Sequence, residues 1–259
     1  MTTVRVFLIG AGPGDPELLT VKALRLLRTA DVILHDSLVD PRVLALAGRR
    51  ARLIDVGKRC GGKAAAQEAI CALLVEHALT GQRVIRLKGG DPMIFGRAGD
   101  EMAALAAHGI DYEIIPGITA ATAAASALGL SLTKRGVARS LHFLTGHGAE
   151  GGLPAHDWVA LTKSGGTLVV YMGGRTLPGL AAHFIEAGMP ASTPAIAVEN
   201  ASLPAQRIIR ATIATLPRAV QEAGGTGPTL VLIGEALRQD STAILADITA
   251  RAPALASEK

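Results

Sequence analysis

Residues 83–101 constrain this chain more than any other stretch: Arg83-Val-Ile-Arg-Leu-Lys-Gly-Gly-Asp-Pro-Met-Ile-Phe-Gly-Arg97-Ala-Gly-Asp-Glu101. Val84, Ile85 and Leu87 predict a short strand. Gly89 and Gly90 end it, and Asp91-Pro92 fixes a turn. A glycine pair reaches backbone angles closed to other residues and lets a ligand come close to the main chain. In an open α/β sheet, ligands bind just past the carboxyl ends of the strands. A plain strand-to-helix turn would use the same glycines. Arg97 and the acidic pair Asp100 and Glu101 favour a site, because they set charge beside the turn.

The flanking pattern predicts a sheet around this strand. Residues 4–9 read as a buried strand running into Gly10-Ala-Gly-Pro-Gly-Asp-Pro16. Asp15 suits a helix N-cap and Pro16 the first helical position. Leu19, Ala23, Leu26, Leu27 and Ala30 mark the face of the helix that follows. The glycines invite a dinucleotide-binding reading, but the third position of that fingerprint is Asp15, which would repel a pyrophosphate at a helix start. Further strands are predicted over 31–34, 53–56 and 112–115. The spacing of Ile70, Leu73, Leu74 and His77 predicts a helix over 67–79. Residues 102–107 continue a helix, and Pro116-Gly-Ile-Thr119 opens an alanine-rich one ending at Gly129. This alternation predicts a mainly parallel sheet with helices on both faces.

A second series of strands is predicted over 141–145, 167–172, 196–199, 207–212 and 230–233, with helices over 157–162 and 180–187. No helix separates 199 from 207, so an antiparallel hairpin and a mixed sheet are expected there. The expected division is an N-terminal α/β lobe over 1–135, a C-terminal α/β lobe over 136–240 and a helical tail over 241–259. Glycine-rich strand ends recur at 10–14, 89–90, 117 and 173–174, and Gly227-Pro228 adds another turn. They suggest one ligand gripped by several backbone loops in an interlobe cleft. The pattern alone leaves open whether the chain is a binder or an enzyme.

Composition removes other classes. Aromatics make up 3% of the 259 residues, too few for base-stacking platforms. The net charge of +4 is dispersed with no basic run, which weakens a nucleic-acid reading, and a small anionic substrate fits as well. Cys60 and Cys71 form no C-x-x-C pair, and no His, Cys or carboxylate cluster has metal-ligand spacing, so neither disulfide nor metal is expected. His35 and His147 read as ordinary hydrogen-bonded loop histidines, and Arg86 and Lys88 as structural ion-pair formers at a strand end. No apolar run approaches the ~18 residues of a membrane span, and the first strand follows the start at once, so a cytoplasmic protein is expected.

Several segments together resemble the tetrapyrrole methylases, in order and over roughly residues 4–236. They are Gly10-Ala-Gly-Pro-Gly-Asp-Pro16 with Leu18-Leu-Thr20, Gly57-Lys-Arg59, Arg86-Leu-Lys-Gly-Gly-Asp-Pro92 with Phe95-Gly-Arg97, Pro116-Gly-Ile-Thr119 and Tyr171-Met-Gly173. The Gly57-Lys-Arg59, Arg86–Pro92 and Thr133-Lys-Arg135 segments are similar to the branch that methylates uroporphyrinogen III. The resemblance implies a homodimer of two-lobed α/β subunits. It implies two C-methylations by S-adenosylmethionine, at positions 2 and 7, giving precorrin-2 and S-adenosylhomocysteine. Precorrin-2 feeds sirohaem, cobalamin or haem d1 biosynthesis.

By matching position, the resemblance implies cofactor contacts at Pro13, Gly89, Gly90, Asp91, Ile94, Thr119, Ala120, Met172, Ala201 and Thr229. It implies catalysis at Arg97 and substrate contacts at Asp100, Arg135 and the Met172 main chain. The chain departs from many relatives at Ser37, where arginine is common, at Asp100, where glutamate is common, and at Lys134, where histidine is common. The chemistry agrees with these positions. S-adenosylmethionine carries no phosphate and needs no pyrophosphate-binding turn. An octacarboxylate substrate calls for arginine, whose planar fork binds carboxylates in pairs.

Overall fold

A computed structural model describes residues 6–57, 63–148 and 151–238. Lys58-Arg59, Cys60 and the expected tail over 241–259 lie outside the described residues. The chain packs as two compact units. The first runs to Gly129 and takes back Val198–Arg207; the second is Leu130–Ala197 with the chain from Ile208 onward. No shift in composition announces the return of 198–207.

The first unit alternates strand and helix: β1 (Val6–Gly10), α1 (Val21–Leu27), β2 (Val32–His35), α2 (Pro41–Leu44), β3 (Arg52–Asp55), α3 (Lys63–Leu79), β4 (Val84–Lys88), α4 (Ala98–Ala107), β5 (Tyr112–Ile115) and α5 (Ala120–Leu128). The strands form one parallel sheet in the order β3-β2-β4-β1-β5. Side chains alternate across it. Val6, Leu8, Val32, Leu34 and Val84 pack with Ile70, Leu74 and Leu105 of α3 and α4. Phe7, Ile9, Ile33, Ile85 and Leu87 pack on the other face with Ala23, Leu27 and Val43 of α1 and α2. Both faces are covered, so the central strand β1 is apolar throughout rather than alternating, and the two cations of its neighbour β4 are buried as well.

The second unit holds β6 (Leu141–Thr145), α6 (Trp158–Lys163), β7 (Thr167–Tyr171), α7 (Leu177–Glu186), most of β8 (Pro194–Glu199) and of β9 (Arg207–Thr212), α8 (Leu216–Ala223) and β10 (Thr229–Ile233). The sheet order is β6-β7-β10-β8-β9. β6 and β7 run parallel while β7 and β10 run antiparallel, so this sheet is mixed, as expected. Its core joins Leu168, Val170, Val231 and Ile233 to Leu177, Leu180 and Phe184 of α7.

Local details differ from expectation where short-range chemistry is ambiguous. Asp15 does cap with its carboxylate, accepting the Glu17 N–H at 3.0 Å, and Pro16 follows it. What it caps is a 3₁₀ turn, Pro16–Leu18. The α-helix starts later, with Thr20 accepting from Ala23 N–H at 3.2 Å. α3 begins at Lys63, ahead of the first apolar residue of its stripe. The short α2 and α8 are not among the expected helices; each has proline in its first turn.

Candidate active site

The carboxyl ends of β4, β1 and β5 lie side by side, because β1 pairs with both neighbours. Three glycines let these ends close up. A Cβ on Gly10 would stand 2.6 Å from the Gly117 Cα and from the Gly90 carbonyl oxygen. One on Gly117 would stand 2.2 Å from the same oxygen. Gly90 N–H donates to the Gly12 carbonyl at 2.8 Å, and Gly12 N–H returns a bond to Gly90 at 3.2 Å. Gly90 has φ +68°, and a Cβ there would meet nothing within 4 Å. Its outer side is therefore open to a ligand.

Asp91 ties the seam together. Its Oδ1 accepts the Met93 N–H at 2.8 Å and its Oδ2 accepts the Gly117 N–H at 2.9 Å. One carboxylate thus shapes its own turn and pins the Pro116-Gly117 loop that leads into α5. Thr119 takes the N-cap position of α5, but its side chain makes no capping hydrogen bond, so capping does not account for the residue. The loop bearing Ala201 belongs to the same unit. Ser202 Oγ accepts the Asp15 N–H at 3.1 Å, and Leu203 fills the space beside Gly14, where a Cβ would fall 2.3 Å from it. Pro13, Gly89, Gly90, Asp91, Ile94, Thr119, Ala120 and Ala201 are therefore all in loops or helix starts of the first unit.

Met172 and Thr229 are in the second unit, where β7 and β10 are neighbours. Met172 follows β7 with φ +57° and is half exposed, and a Cβ on Gly174 would touch the Thr229 Cβ at 3.2 Å. Arg135 stands exposed in a tight turn closed by Lys134 and Ala138, whose backbones exchange bonds of 3.0 and 2.8 Å.

Arg97 is the N-cap of α4, with φ +55° and ψ +26°. Its Nε donates to Asp100 Oδ2 at 3.0 Å, and both side chains are about half exposed, 52% and 49%. Arg97 and Asp100 thus form an i, i+3 ion pair. At this exposure such a pair is worth only a few tenths of a kcal/mol and leaves the guanidinium able to turn to a ligand. The backbone is more informative. The non-glycine residues at positive φ, among those described, are Phe95, Arg97, Met172, Asn200 and Ser202. Each is, or neighbours, a position carried over as cofactor or substrate contact. Strain of this kind costs about 1–3 kcal/mol per residue and persists where surrounding structure imposes it.

Beneath the Arg97 turn lies a buried charge cluster that the sequence only half announces. Residues 84, 86 and 88 share one face of β4, the face that meets α4. Arg86 Nε donates to Glu101 Oε1 at 2.8 Å, and its guanidinium also reaches Asp36 and the Leu34 and Leu87 carbonyls. Lys88 Nζ donates to both Glu101 oxygens, at 2.8 and 3.0 Å. Arg86 and Lys88 are each 2% exposed and Glu101 is fully buried. Glu101 therefore does not set charge at the surface beside Asp100 as expected; it neutralises two cations inside. Cations at alternate positions of an apolar strand were the available signal, since buried charge requires a partner. Burial pushes the Lys88 ammonium below its ordinary pKa, with the neighbouring Arg86 adding to it.

Other expectations resolve quietly. The His35 ring meets the Asp36 carbonyl at 3.2 Å, and the His147 backbone bonds Thr145. Cys71 is half buried, and burial raises its thiol pKa, which makes it a poor nucleophile. No helix among the described residues is long and apolar enough to cross a membrane.

Asp91 gives a first test of the seam. Asp91→Ala removes the acceptor for two N–H groups at once. Affinity for S-adenosylhomocysteine is expected to fall at least about tenfold, or roughly 1.4 kcal/mol. The melting temperature should move by only a few degrees, because the strands themselves are untouched. Calorimetry and thermal melts compare the two; unchanged affinity removes Asp91 from the site.

Comparison with known proteins places this architecture. The family model of tetrapyrrole (corrin/porphyrin) methylases matches residues 5–217. The chain is 48% identical, over 89% of its length, to an S-adenosyl-L-methionine-dependent uroporphyrinogen III methyltransferase, chloroplastic, of Arabidopsis thaliana. It spans 63% of that relative, and 49% of a siroheme synthase of Chromobacterium violaceum that it also matches. Among solved structures, it is 42% identical to a uroporphyrin-III C-methyl transferase from Thermus thermophilus complexed with S-adenyl homocysteine. That likeness has a TM-score of 0.77 and covers 90% of this chain and 99% of the other. A cobalt precorrin-4 methyltransferase superposes with a TM-score of 0.82 at 30% identity, covering 90% of this chain and 96% of the other. With the parallel first sheet, the mixed second sheet and the glycine seam, these matches settle that the chain belongs to the tetrapyrrole (corrin/porphyrin) methylases.

Proposed function

We propose that this chain transfers methyl groups from S-adenosylmethionine to carbon atoms of uroporphyrinogen III, twice, at positions 2 and 7, to give precorrin-2. The observation that carries the reading is the Gly10–Gly90–Gly117 seam braced by Asp91. It offers backbone polar groups and an open glycine face without a pyrophosphate turn, which suits a nucleoside cofactor that has no phosphate. A carboxylate at the seam also suits a cofactor bearing a sulfonium and an ammonium, since each Asp91 oxygen has a second lone pair to offer. The branch of the family follows from the Thermus thermophilus and Arabidopsis thaliana relatives, which are more similar in sequence than the cobalt precorrin-4 enzyme. Siroheme synthases among the longer relatives support precorrin-2 as a sirohaem precursor, with cobalamin and haem d1 as further uses.

Bound S-adenosylmethionine supplies an electrophilic methyl group. The chain's part is to hold and aim the acceptor. We assign cofactor contact to Pro13, Gly89, Gly90, Asp91, Ile94, Thr119, Ala120 and Ala201, and to Met172 and Thr229 of the second unit. Arg97, Asp100, Arg135 and the Met172 main chain are assigned to the macrocycle. Displacement at a methyl carbon needs acceptor, methyl and sulfur nearly in line, so acceptor positioning dominates the barrier. Arg97 serves that end by clamping an acetate or propionate. It does not serve as a base, because guanidinium stays protonated in proteins. A cytoplasmic homodimer completes the proposal, and light scattering at micromolar concentration reads its mass.

The deciding experiment is anaerobic incubation with uroporphyrinogen III and methyl-labelled S-adenosylmethionine. Two labelled methyls per macrocycle are expected. Calorimetry in parallel should find S-adenosylhomocysteine bound and NAD not bound. Methylation of a later corrin intermediate but not of uroporphyrinogen III would move the chain to another branch of its family.

A further inference from the structure

We infer that Lys88 and Glu101 are positioning residues: their buried ion pair fixes the turn that carries Arg97 to the end of β4. The inference rests on the methyltransferase reading, within which Arg97 holds the acceptor. Lys88 is the last residue of β4, directly before Gly89, and Glu101 is in the first turn of α4. Everything between them, residues 89–100, is one excursion that bears both the seam glycine Gly90 and Arg97. Lys88 Nζ meets Glu101 Oε1 and Oε2 at 2.8 and 3.0 Å, so the two ends of the excursion are joined directly. The excursion also winds over the lysine stem. A Cβ on Gly96 would stand 3.1 Å from Lys88 Cε and 2.6 Å from the Pro92 carbonyl oxygen.

Two features say that direction, rather than stability, is what the pair supplies. Phe95 and Arg97 hold positive φ angles of 52° and 55°, conformations that need imposing from outside. And a buried ion pair adds little net stability over apolar side chains of the same volume. Apolar packing there would fill the space but would not fix one register of the turn. Arg86 keeps Asp36 as a second partner, so its charge does not depend on Glu101 alone.

The test uses the charge-balanced pair Lys88→Met with Glu101→Gln in the full chain, beside the parent. Melting temperature is expected to stay within a few degrees, and S-adenosylhomocysteine affinity within about threefold. With uroporphyrinogen III, kcat should fall at least tenfold and KM should rise. Tryptic cleavage after Arg97, followed by mass spectrometry, should quicken at least tenfold because the turn is no longer held. Glu101→Asp, which keeps the charge but shortens its reach, should fall between parent and double variant in both readouts. Turnover within threefold of the parent with unchanged cleavage, in either variant, overturns the inference. So does a loss of S-adenosylhomocysteine affinity in step with turnover, which would make the pair part of the cofactor pocket. If the parent itself transfers no methyl to uroporphyrinogen III, the functional proposal fails, while cleavage after Arg97 still reports on the tie.

Discussion

Arg97→Ala is expected to bind S-adenosylmethionine as the parent does and to lose turnover by at least a hundredfold, about 2.7 kcal/mol of barrier. The donor is a sulfonium, so a nearby cation does not help to hold it. The proposed acceptor is ringed by carboxylates, and on that reading the half-exposed guanidinium of Arg97 clamps one of them. Arg97→Lys should recover little, because a point charge cannot reproduce the two-pronged fork. The backbone separates this role from a structural one. Arg97 holds φ +55°, a region that costs non-glycine residues roughly 1–2 kcal/mol. Arg97→Gly should therefore melt at or above the parent temperature while losing turnover as Arg97→Ala does. The ion pair with Asp100 that both variants lose is worth only a few tenths of a kcal/mol. Turnover within about threefold of the parent, a loss under roughly 1 kcal/mol, would make Arg97 structural.

The reach of the sequence can be seen in where its signals are local. The strand before Gly89-Gly90, the cap at Asp15 and the alanine-rich helix after Thr119 are written in adjacent residues, and each is present. The missing helix between 199 and 207 led to the expectation of a mixed sheet; the sheet is mixed, with β6–β7 parallel and β7–β10 antiparallel, and β8 and β9 are neighbours in it. Pairings across distance were less legible. Nothing beside Glu101 marks it as buried; only the cations at 86 and 88, on a strand 15 and 13 residues away, imply such a partner. Nor do Phe95, Arg97 and Met172 look like residues of the left-handed region, which local sequence assigns to glycine and asparagine. Such conformations are imposed by the surrounding fold of each turn, so they can be read only once that fold exists. The clasp of Ser202 on Asp15 joins residues 187 positions apart, and no pattern near either announces it.

Gly117→Ala should be the most damaging single methyl that can be added to the first unit. Gly117 does not take up a left-handed φ, so conformational freedom is not the reason for glycine there; space is. The new Cβ would fall 2.2 Å from the Gly90 carbonyl oxygen and 2.8 Å from the Gly10 Cα. All of these atoms are backbone, so no side chain can swing aside. The β5 end must move off β1, which breaks the 2.9 Å bond from Gly117 N–H to Asp91 and crowds the Gly12–Gly90 pair. Overpacking in a close-packed region costs about 1–3 kcal/mol, and an immovable neighbour puts this case at the top of that range. For a chain of this size, each kcal/mol is worth roughly 2–4 °C, so the melting temperature should fall by about 6–12 °C. S-adenosylhomocysteine affinity should fall further than stability does, because the seam is the proposed cofactor wall. Gly179→Ala is the matching control: it lies in α7, where a Cβ would meet nothing within 4 Å. That change should be neutral or stabilising by up to about 1 kcal/mol, as alanine favours helix over glycine. A Gly117→Ala protein with the parent's melting temperature and cofactor affinity would mean that the three strand ends are not held as closely as the seam requires, and the cofactor assignment would go with it.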